Sequence, residues 1–298
     1  MRSRTRVAAV AGIAALVTAG AAACGSHPGP GRATAGSAGA VHAVQAAYIA
    51  TTSAKTATFR FDEVIQAKSS GGSSQNATIT GWGQIDFAAR AFTASVNAPS
   101  GGTIRTVLVN GTEYLQVPAA ARSQIPGHKA WVSVNLNKVS QAKLGASFSQ
   151  VAGNDNPTQA LSQLSAVSSG VSKAGSATVA GVPTTEYRAT VSLDKVAARV
   201  LAKVGVKAAQ AVRQEIKALG TATLPVDVWI GARHLVRQIR YQVPIPAAST
   251  GGPSGSGKAV LTMTFTSFGA PVHLNPPPAS QTVDITNEVL QQAKASSG

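Results

Sequence analysis

A single cysteine, Cys24, stands in a chain of 298 residues. That count excludes an intramolecular disulfide framework and any zinc ribbon or iron–sulfur site built on cysteine. Acids are scarce as well, with 11 Asp and Glu against 26 Lys and Arg, for a formal net charge of +15. A dense carboxylate metal site has few ligands to draw on. Charged residues make up only 12% of the chain and aromatics 5%, whereas a typical soluble domain is about 25% charged. Solubility therefore rests on Ser, Thr, Asn, Gln and Gly. The five histidines, His27, His42, His128, His234 and His273, are scattered and show no paired metal spacing. What remains plentiful is apolar sequence, 44% of the chain, enough for one large core or two small ones.

The N-terminus carries the densest information. Arg2, Arg4 and Arg6 precede an uncharged run from Val7 to Ala23, built mainly of Ala, Gly and Val. A basic start, an apolar stretch and small residues before a cleavage point define a secretory signal. A membrane-spanning anchor is the rival reading, and 17 residues is the short limit for a span. Ala21-Ala22-Ala23-Cys24-Gly25 resembles the lipobox of bacterial lipoproteins, although Leu is commoner at the position of Ala21. The resemblance implies cleavage before Cys24 and a diacylglycerol thioether, with palmitate-type chains, on its sulfur. Ordinary Ala-x-Ala cleavage would instead leave a spare thiol in an oxidising compartment, a reactive liability. Each buried methylene contributes roughly 0.8 kcal/mol, so two or three acyl chains make a stable anchor. Removing three arginines lowers the formal charge from +15 to +12.

Residues 24–39 are rich in Gly, Pro, Ser and Ala and read as a flexible tether. Residues 40–298 read as a single domain. Val41 to Lys55 has helical spacing, after which period-two alternation takes over. Phe59, Phe61 and Ile65 alternate with Arg60 and Asp62. Ile79, Ile85 and Phe87 oppose Thr80, Gln84 and Asp86. Tyr187 and Val191 flank Arg188 and Thr190. Val226, Val228 and Ile230 oppose Asp227 and Trp229. Ile239, Tyr241 and Val243 alternate with Arg240 and Gln242, and Leu261, Met263 and Phe265 with three threonines. Strands with one apolar and one polar side make antiparallel sheet with one solvated face. Asn110-Gly111 is the strongest hairpin marker, and Gly231–His234 and the Gly/Ser/Pro stretch 248–257 are further links. Asn156-Pro157-Thr158 opens a helix carrying Leu161, Leu164 and Val167 on one face. A second helix is expected from about Leu193 to Leu219. Its row Val196, Val200, Val204 and Ala208 lies beside Lys195, Arg199, Lys203 and Lys207. That basic ridge reads as a solvated face, with anionic headgroups the alternative.

Apparent catalytic motifs fail on context. Gly252–Lys258 begins like a phosphate-binding loop, but Ala259 stands where Ser or Thr must hold magnesium, and a strand pattern follows where a helix is needed. Ser140–Lys143 and Ser192–Lys195 match Ser-x-x-Lys without the Ser-Asp-Asn or Lys-Thr-Gly partners of such sites. No enzyme and no cofactor is expected. Export, and the lack of basic residues interleaved with aromatics, argue against nucleic acid as a partner.

The order of motifs then resembles the actinobacterial LppX/LprG-type lipoproteins, related in shape to the LolA and LolB lipoprotein carriers. It runs through Ala57–Phe61, Gly81–Asp86, Val109–Leu115, Ala130–Val134, Val179–Tyr187, Leu224–Ile230, Phe265–Val272 and Pro276–Pro278. The resemblance implies an α+β fold, a strongly curved antiparallel half-barrel with helices covering the concave face. It also implies an apolar hollow for a lipid or glycolipid, on the outer face of the cytoplasmic membrane, with an envelope export protein as the partner such a carrier would meet. Candidate lining residues are Phe59, Phe61, Ile79, Ile85, Phe87, Leu161, Leu164, Tyr187, Val228, Ile239, Tyr241, Met263 and Phe265. The alternative is a non-catalytic interaction or sensory lipoprotein in which the same residues fill a closed core. The anchor has a direct test. Cys24→Ala is expected to move the protein from the membrane to the soluble fraction and to remove the acyl mass from its intact-mass spectrum. A variant that stays membrane-bound with no acyl mass lost would refute lipidation.

Overall fold

Alternation of apolar and polar side chains along most of the chain resolves into a single twelve-stranded sheet. The computed structural model describes residues 35–68, 74–97, 102–141, 164, 170–203, 205–245 and 256–295. Cys24, the signal, the start of the tether, Leu161 and nearly all of the helix expected after Asn156 lie outside the described residues. The strands are β1 (Thr56–Lys68), β2 (Ser74–Asp86), β3 (Ala91–Asn97), β4 (Thr103–Val109), β5 (Thr112–Gln116) and β6 (Trp131–Asn135), followed by β7 (Ser172–Val179), β8 (Val182–Ser192), β9 (Thr223–Ile230), β10 (Val236–Ile245), β11 (Ser256–Thr266) and β12 (Thr282–Asp284). Their spatial order is β12-β6-β5-β4-β3-β2-β1-β11-β10-β9-β8-β7. Two meanders, β1 to β6 and β7 to β11, are thus joined where β1 pairs with β11. All pairings are antiparallel except β12 with β6. The sheet is strongly curved and unclosed, an α+β half-barrel as expected.

Turn chemistry sets the registers. Asn110 and Gly111 both have positive φ, 52° and 70°, the geometry of the two-residue turn that matches strand twist. Ala180 and Gly181 repeat it between β7 and β8, at 48° and 78°. Composition hides that second turn, because Ala rarely enters the left-handed region.

Two glycines near the middle of the sheet let it bend. Phe59 pairs with Gly83 and Phe61 with Gly81 across β1 and β2. A Cβ on Gly83 would lie 2.6 Å from Phe59 Cζ, and one on Gly81 would lie 2.7 Å from the Ser95 carbonyl oxygen. The two rings occupy the space that side chains on β2 would otherwise fill, an aromatic rescue of strand glycines. Both phenylalanines are buried as a result.

Helices cover the side of the sheet on which these rings lie. α1 (Ala35–Ser53) begins inside the range read as tether and ends just short of Lys55. It buries Ala40, Val44 and Ala47 in the main core. Thr51, fully buried, accepts a 2.8 Å hydrogen bond from the Val236 amide, which fixes the helix to the start of β10. The short α2 (Leu136–Gln141) follows β6. The single helix expected over 193–219 is two, α3 (Leu193–Lys203) and α4 (Val206–Leu219). Gly205, at φ 114°, breaks it by taking a conformation no helix admits. The break re-aims the buried face, which uses Leu193, Val196 and Ala197 in α3 and Ala209, Val212 and Ile216 in α4. α5 (Thr286–Ala295) is the last of the described helices.

The C-terminus is held by a polar clasp. The Asn135 amide donates to Thr286 Oγ1 at 2.9 Å, the Ile285 amide to the Ser133 carbonyl at 3.0 Å, and the Thr286 amide to Asp284 Oδ1 at 2.8 Å. The Thr286 hydroxyl also donates to Asp284. That hydroxyl is the main cause holding the Asp284 carboxyl below the usual range; partial burial opposes it, and the Thr286 amide and Lys138 add to it.

Two expectations follow. Gly83→Ala should cost about 1–3 kcal/mol in urea unfolding through overpacking. Gly175→Ala, with nothing within 4 Å of the new Cβ, should stay within about 0.5 kcal/mol of the parent. Equal effects would remove the special role of the Phe–Gly pairs. Because the folded pKa of Asp284 is depressed, its contribution is complete above the unfolded carboxylate value, about 3.9, and fades as pH falls through the folded pKa. The Ile285 amide NMR shift should titrate in that acid range, and Asp284→Asn should abolish the titration.

Candidate ligand-binding face

Cross-strand register lays the apolar side chains in continuous rows over the concave face. One row runs Tyr187, Val228, Ile239, Met263, Phe61, Gly81, Val96, Ile104. Another runs Phe265, Phe59, Gly83, Ala94, Thr106, Leu115, Val132. A third runs Ala57, Ile85, Phe92, Leu108, Glu113, Val134.

These rows do not all pack alike. Phe59, Phe61, Ile85, Phe87, Leu164, Val228, Ile239, Tyr241, Met263 and Phe265 are buried together in the main core, with Ile79 and Tyr187 half-buried against it. Twelve of the thirteen residues singled out from sequence therefore converge, and Leu161 lies outside the described residues. A second, smaller cluster, Val117, Ile125 and Val132 with Leu115, Ala121, Val283 and Ile285 around it, sits at the β6 end of the sheet. A strip of half-buried apolar side chains links the two clusters: Val96 and Leu108 pack against the main core, Leu115 against the smaller one, and Ile104 and Val134 belong to neither. α1 contacts β7, β9 and β10, so that helix lies on the opposite half of the sheet from the strip. Glu113 stands within the strip, engaged in a contact of its own.

The strip escaped the sequence reading. Its signal was available in the alternation of Phe92, Ala94 and Val96, and in the Asn110-Gly111 turn that pins β4 on β5. Without the pairing of β3 with β4, however, nothing told which parity of Ile104–Val109 faced the concave side.

Polar chemistry gathers on the convex face. Arg240 binds Asp227 at 2.6 and 3.0 Å and lies 5.2 Å from the centre of the Trp229 ring. Arg188 stands 3.8 Å from Asp227 and 3.7 Å from Glu186. Arg237 lies 5.0 Å from the Phe268 ring, and burial, followed by the nearby Arg233 charge, pulls its pKa down. On the concave side, burial pushes the Tyr241 hydroxyl up, so it stays neutral at physiological pH. These are structural pairings rather than an acid–base site. Ser192, half of a Ser-x-x-Lys match, accepts from the Lys195 amide at 3.4 Å and so caps α3. The residues after the loop-like run 252–255 are strand β11, from Ser256 onward. Among the described residues, no three His, Cys, Asp or Glu side chains are placed to hold a metal ion. None of the described helices is long and apolar enough to cross a membrane.

No protein-family description and no curated relative matches the chain. Solved structures do. The chain is similar to the Mycobacterium tuberculosis lipoprotein LppX, at 12% identity and a TM-score of 0.45, over 80% of this chain and 99% of that one. It is similar to LprF from Mycobacterium bovis, at 12% identity and 0.42, over 81% and 98%. A LolA superfamily protein from Nitrosomonas europaea aligns at 7% identity and 0.27, over 80% and 96%. LppX and the LolA superfamily are among the names to which the order of the sequence motifs bears a resemblance.

Proposed function

We propose that this chain is an exported lipoprotein, anchored through Cys24, that holds the acyl part of a lipid or glycolipid against the concave face of its sheet. The observation that carries the proposal is the half-buried strip Val96, Ile104, Leu108, Leu115 and Val134 that links the two packed clusters, with Ile104 and Val134 part of neither. From β3 to β6 it crosses three interstrand spacings, about 14 Å. An apolar surface of that extent gains by being covered, at roughly 25 cal/mol for each Å² removed from water. An acyl chain is a suitable cover because the strip is long, narrow and flanked by closed cores. Buried neighbours such as Phe61 and Met263 form the floor that keeps the sheet in shape, and Ile79 and Tyr187 are partly exposed at its margin. The role requires no catalytic turnover. A lipid held this way can be passed to another envelope component, an export protein among them, because only apolar contacts must be broken.

A second reading has its own support, since ten of the candidate residues are buried in a packed core. On that reading the chain is an interaction or sensory lipoprotein whose function lies on its surface.

Native mass spectrometry of the protein purified from membranes separates the two. The lipid reading expects co-bound lipid, reduced about tenfold or more in Leu108→Arg, because a guanidinium in an apolar seat carries a desolvation penalty. Lipid occupancy in the parent that Leu108→Arg leaves unchanged places the lipid elsewhere. Absence of any bound lipid in the parent favours the closed core.

A further inference from the structure

Trp82 is the feature that neither core nor concave face absorbs. It sits near the middle of β2, yet 48% of its surface is exposed. Alternation along the strand sends Gly81 and Gly83 to the concave side and Trp82 to the convex side, so the ring stands with the full thickness of the sheet between it and the apolar strip.

The other tryptophans of the sheet, Trp131 on β6 at 8% exposed and Trp229 on β9, show what a structural Trp looks like here. Trp229 is 6% exposed, and Arg240, held by Asp227, lies over its ring. Trp82 also has an arginine as its cross-strand neighbour, Arg60, but the ring remains open. Around it the partners are all polar: Arg60 on β1, Ser95 on β3, Thr80 and Gln84 along β2, and Arg105 beyond Ser95. A concavity of about 390 Å³ opens beside the ring, lined by Arg60, Phe61, Asp62, Thr80, Gly81 and Trp82. Thr80 Oγ1 accepts a 3.0 Å hydrogen bond from Asn97, which fixes the hydroxyl and leaves its proton to donate outward.

We infer that the convex face around Trp82 docks a pyranose ring of an acidic extracytoplasmic polysaccharide. One flat aromatic face surrounded by hydrogen-bonding groups is complementary to a sugar, which has an apolar C–H face and a rim of hydroxyls. A protein hot spot would place further apolar side chains beside the tryptophan, and none of its cross-strand neighbours is apolar. Arg60 and Arg105, both exposed, favour an anionic substituent, while Asp62 accepts from hydroxyls. The glycan cannot be the headgroup of a lipid seated in the concave strip, because the sheet lies between them. The site thus binds a separate polymer, and it stands whether or not the concave face holds lipid.

Affinity electrophoresis of the Cys24→Ala chain through gels containing polygalacturonate, with dextran as the neutral control, tests this. The protein should be retarded by polygalacturonate more than by dextran. Trp82→Ala should weaken the interaction by about tenfold, and Arg60→Ala should weaken it for polygalacturonate alone. Thermal midpoints and co-purified lipid should stay those of the parent. Retardation that survives Trp82→Ala reflects net positive charge and overturns the inference. So does an absence of Trp82-dependent retardation in both gels. Trp82-dependent sedimentation with phosphatidylglycerol vesicles in place of glycan binding overturns it too and assigns the face to a membrane surface.

Discussion

Everything in this molecule depends on two phenyl rings lying across two glycines. Phe59 over Gly83 and Phe61 over Gly81 sit where the two meanders meet, on the strand that pairs with β11 on its other side. A sheet this wide does not stay regular and flat. It bends where one strand lacks side chains and its neighbour supplies rings broad enough to serve both. The bend creates a concave side, and the concave side gives α1, α3 and α4 a surface on which to bury their apolar stripes.

The strand pattern was legible because a half-solvated antiparallel sheet writes itself as period two, and the inward parity of Phe59, Ile85, Val228 and Met263 followed directly. Hairpin turns were legible only where the residues are specialised for positive φ. Asn110-Gly111 announces itself, and Ala180-Gly181 does not. The break between α3 and α4 was hidden for a related reason. Gly205 falls inside an otherwise amphipathic run, and helical periodicity alone cannot say whether a glycine is tolerated or used. The half-buried strip was least legible of all. Its members come from four strands, and their relation exists only through pairings that sequence spacing does not encode. The fold was read from local rules, whereas the candidate site needs the long-range register.

The two faces divide the chemistry. The concave side is apolar and nearly free of charge, with Glu63 and Glu113 the acids that the register places there, each engaged. The convex side holds many of the strand threonines, including the Thr58–Thr266 hydroxyl pair at 2.7 Å, and the Arg–Asp pairing at Asp227. That arrangement explains how a chain so poor in charge remains soluble on one side. Hydroxyls and a few arginines on alternate positions suffice when the same strands bury their other half.

The seam between β1 and β11 has a temporal consequence. Thr58 and Thr266 are 208 residues apart, so a chain that emerges N-terminus first offers β1 only one neighbour, β2, until nearly all of it is available. Local hairpins on either side form early, while the long-range seam closes late. Until then the rings of Phe59 and Phe61 have β2 beneath them but neither β11 beside them nor the later helices above. The half-barrel completes its concave face in the last step of assembly, so its most apolar surface is the last to be covered.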